Sequence, residues 1–363
     1  MSRKFRAPGR VNLIGEHTDY NLGFVLPIAL DMACVVTRTE GRDGHISLHA
    51  LDRGETADFA VSEIAALKPV HRWTDYPIGV AQQLLSSGFR IDAAKLEIHS
   101  TVPEGSGLSS SAALEVSSAL ALLGDQRIDP LELAKLCQRA EIDFVGMPCG
   151  IMDQYISVFG KANAAVRIDC RSLEYQLVEL PENAAIIAVN SMVKHELASS
   201  AYRDRVEECA MAVDAIQRQY PEVKSLRDAT IEHLEKVKLP NLILRRARHI
   251  VTENARVLLF VKAAARRDLA RMGELFVESH VSMQHDYEIS CPEIDFLVDT
   301  AVGIPGVYGA RMTGGGFGGC TVNLVRPDAV KRFEESIVAA YQERFSVIPK
   351  VFACVPSEGA REI

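Results

Sequence analysis

The chain has 363 residues, 48% of them apolar and 24% charged, with a net charge of −8 at pH 7. That length favours two domains over a single core, and the composition is that of a globular protein in water. An acidic body excludes nucleic acid or an anionic membrane as the main partner, and eight scattered cysteines without a CxxC pair indicate neither a zinc site nor a disulfide framework, so a reducing, cytoplasmic setting is expected.

Residues Met1 to Gly9 carry charge with no apolar run behind it, which is not the pattern of a signal peptide. No stretch approaches the ~20 apolar residues of a membrane helix. There is no internal repeat or long Pro/Ser linker, so any domain boundary is tight. Val11 to Ile14 reads as a short strand, and the polar run that follows places Arg10, Glu16, His17 and Asp19 within ten residues. Two readings stay open there. One is a solvated turn with a weak ion pair. The other is a site in which Glu16 and Asp19 accept vicinal sugar hydroxyls while Arg10 faces an anion.

Strands are expected at Cys34–Thr39 and Ile46–Ala50, where β-branched and alternating residues dominate. A helix follows from Trp73 to Leu85; Trp73 could flank an adenine ring or sit at the rim of a core. The strand Lys95–Ser100 then feeds Val102-Pro103-Glu104-Gly105-Ser106-Gly107-Leu108-Ser109-Ser110-Ser111-Ala112-Ala113. Glycines let a backbone approach a ligand closely, and the serines open a helix running to Leu123. The unpaired N–H groups and dipole of such a helix start attract an anion. The stretch reads as a phosphate cradle. It is not a Walker A loop, because no Lys-Ser/Thr pair follows the glycines.

A helix from Pro130 to about Val145 carries Glu141, and Asp153 lies twelve residues later, past a Gly/Pro turn. Two carboxylates so placed suit a magnesium ligand and a base; an exposed Glu141 and an N-capping Asp153 are the structural alternative. A hairpin at 166–170 and 175–180 precedes a buried-type strand at 184–190, and the domain change is placed at Pro181-Glu182-Asn183, dividing the chain into 1–182 and 183–363. Helices are then expected from a cap at Ser199 or Ser200 through Ile216, over Asn254–Ala265 and over Asp268–His285. His280, His285 and Cys291 miss the spacing of a zinc site and read as structural or surface residues. Strands at 307–312 and 320–325 flank Gly314-Gly315-Gly316-Phe317-Gly318-Gly319, five glycines in six positions, which implies close approach of backbone to something. A helix at 328–345 and a strand at 351–354 close the chain.

Four of these motifs together resemble the galactokinases: Pro8–Tyr20, Gly107–Ala113, Gly150-Ile151-Met152-Asp153-Gln154 and Gly314–Gly319. A fifth stretch, Ser279 to Glu293, is similar to a galactokinase segment almost throughout, so the resemblance covers nearly the whole chain. Galactokinases belong to the GHMP group of small-molecule kinases. The resemblance implies their two-domain α+β fold, with an N-terminal half like a ribosomal-protein domain, a ferredoxin-like C-terminal half and the site in the cleft between them. It also implies ATP- and Mg2+-dependent phosphorylation of the anomeric hydroxyl of galactose, by a monomer in the cytoplasm. Residue by residue, Gly105, Ser106, Gly107, Leu108, Ser109, Ser110 and Ser111 would wrap the ATP phosphates, with Ser111 and Glu141 holding magnesium. Glu16, His17, Thr18 and Asp19 would bind the sugar with Gly150 and Tyr202, and Asp153 would face the anomeric hydroxyl with Arg10 beside it. Leu22 before Gly23 departs from the small or acidic residue usual in the family, which leaves room for a different sugar such as N-acetylgalactosamine, arabinose or a uronic acid. A non-catalytic sensor of the same fold can lack the Ser-Ala step of the phosphate loop; here Ser111-Ala112 is intact.

Overall fold

The computed structural model describes residues 2–42, 44–194 and 198–363, without the side chains of 194, 198 and 199. The first half contains β1 (Arg3–Asn12), β2 (Phe24–Val25), β3 (Pro27–Glu40), β4 (His45–Ala50) and β5 (Glu55–Ala60). It continues through α1 (Asp75–Ser86), β6 (Ala94–Ser100), α2 (Ser110–Leu123), α3 (Pro130–Arg139), α4 (Met152–Phe159), β7 (Ala164–Asp169) and β8 (Tyr175–Glu179). The second half contains β9 (Ala185–Lys194), α5 (Ala198–Gln217), α6 (Ile231–Lys236), α7 (Asn241–Ala265), α8 (Leu269–Ser282) and α9 (Pro292–Val302). It ends with β10 (Val307–Thr313), β11 (Gly318–Val325), α10 (Val330–Phe345), β12 (Lys350–Ala353) and β13 (Arg361–Glu362).

Three sheets organise these elements: β13-β1-β3-β6-β4-β5, then β10-β11-β9-β12, and the small β2-β7-β8. Burial alternates along β4 and β6, and α2 packs on the sheet across β1, β3 and β6, with α1 stacked on α2. The largest apolar cluster runs from Phe5 to Cys354 and contains residues of both halves, so the cleft between them rests on one continuous core.

Most expected elements are present, and the differences have physical causes. The first strand is not the short Val11–Ile14 segment but ten residues ending at Asn12. Pro8-Gly9 looks like a breaker, yet the register shifts between Pro8 and Arg10, the kind of irregularity where a sheet tolerates proline. Gly9 itself packs so tightly that a Cβ there would lie 2.6 Å from the Leu108 carbonyl. The helix expected to reach Val145 is α-helical only to Arg139 and continues as the π-helical turn Ala140–Val145. α7 begins at Asn241, thirteen residues before the expected start at Asn254. Helix α5 begins at Ala198, so Ser200 lies within its first turn, while the Ser199 side chain falls outside the described residues.

Candidate active site

Strand β1 delivers the site's arginine. The Arg10 backbone N–H donates to the Leu108 carbonyl (3.0 Å), and its side chain donates to the Gly107 carbonyl, so the strand is tied to the phosphate loop at both levels. The same guanidinium grips Asp153 in a two-point fork, Nε to Oδ1 at 2.9 Å and Nη2 to Oδ2 at 3.0 Å. Such bidentate pairs fix orientation as well as charge. Asp153 occupies the first turn of α4, a helix anchored on β1 by Ser157 Oγ donating to the Pro8 carbonyl (2.9 Å). Asp153 Oδ2 also accepts from Ser109 Oγ. Ser109 is the left-handed residue (φ +58°) at which the loop turns into α2, so the strain of that conformation sits at the point of contact with Asp153.

The four motifs of the sequence line a cavity of about 600 Å³, which includes Arg10, Asp19, Ser111, Glu141, Asp153 and Gly315. Gly105, Gly107, Ser109, Ser110, Glu16, His17, Gly150 and Tyr202 line it too. Thr18, Ser106 and Leu108 do not. Thr18 Oγ1 donates inward to the Gly15 and Phe24 carbonyls, the Ser106 hydroxyl closes its own loop on the Pro103 carbonyl (2.7 Å), and the Leu108 side chain is fully buried. Leu22, the departure in the first motif, is 40% exposed and lies outside the cavity lining.

Close approach explains the glycines. A Cβ on Gly150 would fall 1.9 Å from Asp19 Oδ2, so only glycine lets that backbone pass the carboxylate. The second glycine-rich loop packs on the first: a Cβ on Gly314 would sit 3.0 Å from the Gly107 carbonyl, and one on Gly319 3.1 Å from that of Ser106.

The electrostatics of the first motif are dominated by burial. Burial, then the charge of Asp153, pushes the Asp19 carboxyl up to about 7. Burial holds His17 neutral, pushed down to about 3. Its Nε2 lies 3.3 Å from the Gly315 carbonyl, which can only accept, so Nε2 carries the proton and Nδ1 accepts from the Tyr20 hydroxyl at 2.8 Å. Glu16, 1% exposed, faces inward to Asn12 Nδ2 and to the Gly314 N–H (2.8 Å). It therefore clamps the first motif to the last.

Glu141 is buried on the π-helical turn and accepts hydrogen bonds from Gln154 (2.6 Å) and Cys149, with Ser111 lining the same cavity. Burial and the Asp153 charge push its carboxyl upward, so a cation would favour its ionised form. A magnesium ion is usually held by one or two protein oxygens plus substrate phosphates. One carboxylate and one serine hydroxyl beside the phosphate loop fit that demand. Among the described residues no group of three or more His, Cys, Asp or Glu could hold a metal without such phosphates.

A second cavity, about 790 Å³, meets the first at Tyr76, Gly105, Ser110 and Ser111. Trp73 lines it and donates from Nε1 to Glu55 Oε2 (2.8 Å), so the tryptophan stands at a cavity rim with one ring edge pinned. Sequence reasoning missed four residues that shape the site: Glu115, Gln154, Arg311 and Glu253. For Glu115 the signal was a lone carboxylate in the otherwise small and apolar run Ala112 to Ala121. His280 is buried with Nε2 3.3 Å from Asp295 Oδ1, and His285 is exposed, in keeping with structural and surface roles.

Comparison with known proteins agrees with the geometry. Residues 3–38 match the family model described as the galactokinase galactose-binding signature, 75–161 that of the GHMP kinases N terminal domain and 260–343 that of the GHMP kinases C terminal. The chain is 44% identical to a galactokinase of Roseiflexus sp. (strain RS-1) over 99% of this chain and 92% of that protein. It is 40% identical to a galactokinase of Thermotoga maritima over 99% and 100%. The crystal structure of Lactococcus lactis galactokinase complexed with galactose superposes with a TM-score of 0.94 at 32% identity, covering 100% of this chain and 95% of that one. The Methanococcus jannaschii mevalonate kinase, at 18% identity and a TM-score of 0.70, shares the fold. With full-length relatives at this identity and a site assembled from the motifs that mark them, the chain belongs to the galactokinase family of the GHMP kinases.

Proposed function

We propose that the protein transfers the γ-phosphoryl group of ATP to the anomeric hydroxyl of galactose, with Asp153 as the general base and Arg10 as its partner. ATP is the co-substrate expected of the family, and the sugar-kinase activity follows from membership. The observation that carries the residue assignment is the Arg10–Asp153–Ser109 cluster, which joins the phosphate loop to the sugar motif within one cavity.

Phosphoryl transfer through a loose transition state depends mainly on positioning and charge neutralisation. The backbone of Gly105 to Ser111 and the start of α2 bind the phosphates. Ser111 and Glu141 would hold the magnesium ion, which when bound would neutralise phosphate charge. Asp153 accepts the proton of the attacking hydroxyl, while Arg10 keeps the carboxylate aimed and lends positive charge beside the transferring group. Asp19, Gly150 and Tyr202 fix the sugar, Glu16 and His17 hold the wall behind it, and burial of this wall excludes water. Residues 1–182 and 183–363 act as the two walls of the cleft. Eight free cysteines suit a reducing cytoplasm, and we read the protein as a monomer there; light scattering on the purified protein tests the latter.

The test is a panel of galactose, N-acetylgalactosamine, arabinose and glucose with Mg2+-ATP, the product phosphate located by 31P NMR. Galactose phosphorylated at C1 in clear preference to the others is expected. Preference for another sugar, or phosphate elsewhere on the ring, removes the substrate assignment.

A further inference from the structure

Gln154 follows Asp153 in the first turn of α4, and successive helical residues point about 100° apart. Asp153 therefore faces the cavity while Gln154 turns into the protein, where it is fully buried. Its side-chain amide donates one N–H to Glu141 Oε2 at 2.6 Å and the other to Glu115 Oε2 at 2.9 Å. Both amide hydrogens are thereby used. Glu115 stands on α2, fully buried, and among the described residues no lysine or arginine forms an ion pair with it. A carboxyl group buried without a cation is costly, and an apolar side chain at this buried position of α2 would avoid that cost. Its hydrogen bond to Gln154 is the contact that gives it a purpose.

We propose that Gln154 and Glu115 are positioning residues for Glu141, the pair acting as a buried strut that sets the carboxylate which holds the divalent cation of ATP. Because Gln154 and Asp153 share one helical turn, the strut also fixes where the cation stands relative to the base. What position 115 must supply is an oxygen that accepts the Gln154 N–H. The inference rests on the reading of Glu141 as a cation ligand given above.

The test measures Mn2+ binding by electron paramagnetic resonance, using the full-length protein with a non-hydrolysable ATP analogue, and galactose binding by calorimetry. Gln154→Met and Glu115→Leu are each expected to weaken Mn2+ binding about tenfold or more, the usual effect of losing a group that orients a metal ligand. Galactose affinity stays near that of the unaltered protein, and kcat recovers as Mg2+ is raised. Glu115→Gln, which keeps an acceptor oxygen, retains Mn2+ affinity. Unchanged Mn2+ affinity in folded Gln154→Met overturns the inference, as does loss of Mn2+ affinity in Glu115→Gln or an equal loss of galactose affinity in Gln154→Met. If Gln154→Met does not fold, Glu115→Leu decides on the same readings. Glu141→Gln is the control: if it binds Mn2+ normally, Glu141 is no ligand and the inference falls with that reading; if it weakens binding and Gln154→Met does not, only the inference fails.

Discussion

The molecule buries two groups of carboxylates, and it treats them in opposite ways. Behind the sugar loop, Arg311 is fully buried, donates to the Leu13 carbonyl (2.7 Å) and places its guanidinium 3.6 Å from Glu16 and 3.8 Å from Glu253. Glu253 also accepts from Arg256 (2.6 Å), Ser279 (2.7 Å) and the Gly15 N–H (2.9 Å). Burial pushes this carboxyl up, but Arg256 and Arg311 more than offset it and hold it at about 2. Around the phosphate loop the reverse holds. Glu115, Glu141 and Asp19 are buried too, and burial together with one another's or Asp153's charge pushes all three upward. The first group is complete within the chain and serves as scaffold. The second has no such cation beside it among the described residues, and in the proposed reaction a divalent cation at Glu141 and a sugar hydroxyl at Asp19 would supply the partner. Buried charge without a partner thus marks the functional side of the cleft.

The sharpest way to break this contrast is to remove a cation from each side. Arg10→Met should lower kcat by about 100-fold or more, from the usual size of electrostatic terms, with the denaturation midpoint little changed. Arg311→Met leaves buried Glu16 without a cation and Glu253 with Arg256 alone, and should lower stability by about 3 kcal/mol in urea titrations. An Arg311→Met protein as stable as its parent contradicts the scaffold reading. Gly150→Ala drives a methyl group into the Asp19 carboxylate and should lower kcat/KM for galactose about 10- to 100-fold while the KM for ATP holds. A parallel rise in both KM values points to general loosening instead.

The smallest effect is in pH. The Asp19 carboxyl is raised to about 7, so below that pH it is protonated and cannot accept two sugar hydroxyl protons as an anion. Galactose affinity should therefore fall about tenfold from pH 8 to pH 6, one unit on each side. Asp19→Asn should flatten the profile, and a persistent slope assigns the titration elsewhere. Stability follows the opposite sign for this group. A raised carboxyl favours the fold below its ordinary value of 3.8, and that contribution is lost as pH rises through about 7. Glu253, depressed to about 2, contributes fully above its ordinary 4.5, and that contribution is lost only as pH falls toward 2.

The functional half of this contrast was more legible in the sequence than the scaffold. Gly105, Gly107, Ser109, Ser110, Ser111, Arg10 and Asp153 sit in short motifs whose chemistry is local, and the structure brings them together in one cavity. The scaffold depends on packing between distant segments, which no local pattern records. α7 shows why: its first turns carry Arg246 and His249 on the buried face, where polar groups of Glu208, Glu288, Ser282 and the Glu16 backbone satisfy them. Those buried polar residues interrupt the apolar periodicity that announces a helix. Arg311 was hidden similarly, as one charge in a strand whose partners lie 295 and 58 positions away, at Glu16 and Glu253. The first strand was underestimated because Pro8-Gly9 reads as a break until its register shift is seen.

The central claim is that Asp153 acts on the sugar hydroxyl rather than merely bracing Arg10. The direct measurement is kcat for galactose phosphorylation by Asp153→Asn, alongside galactose affinity by calorimetry on the same preparation. A drop of about 100-fold or more in kcat, with binding largely retained, is the expected result. Near-normal turnover by that folded variant would contradict it.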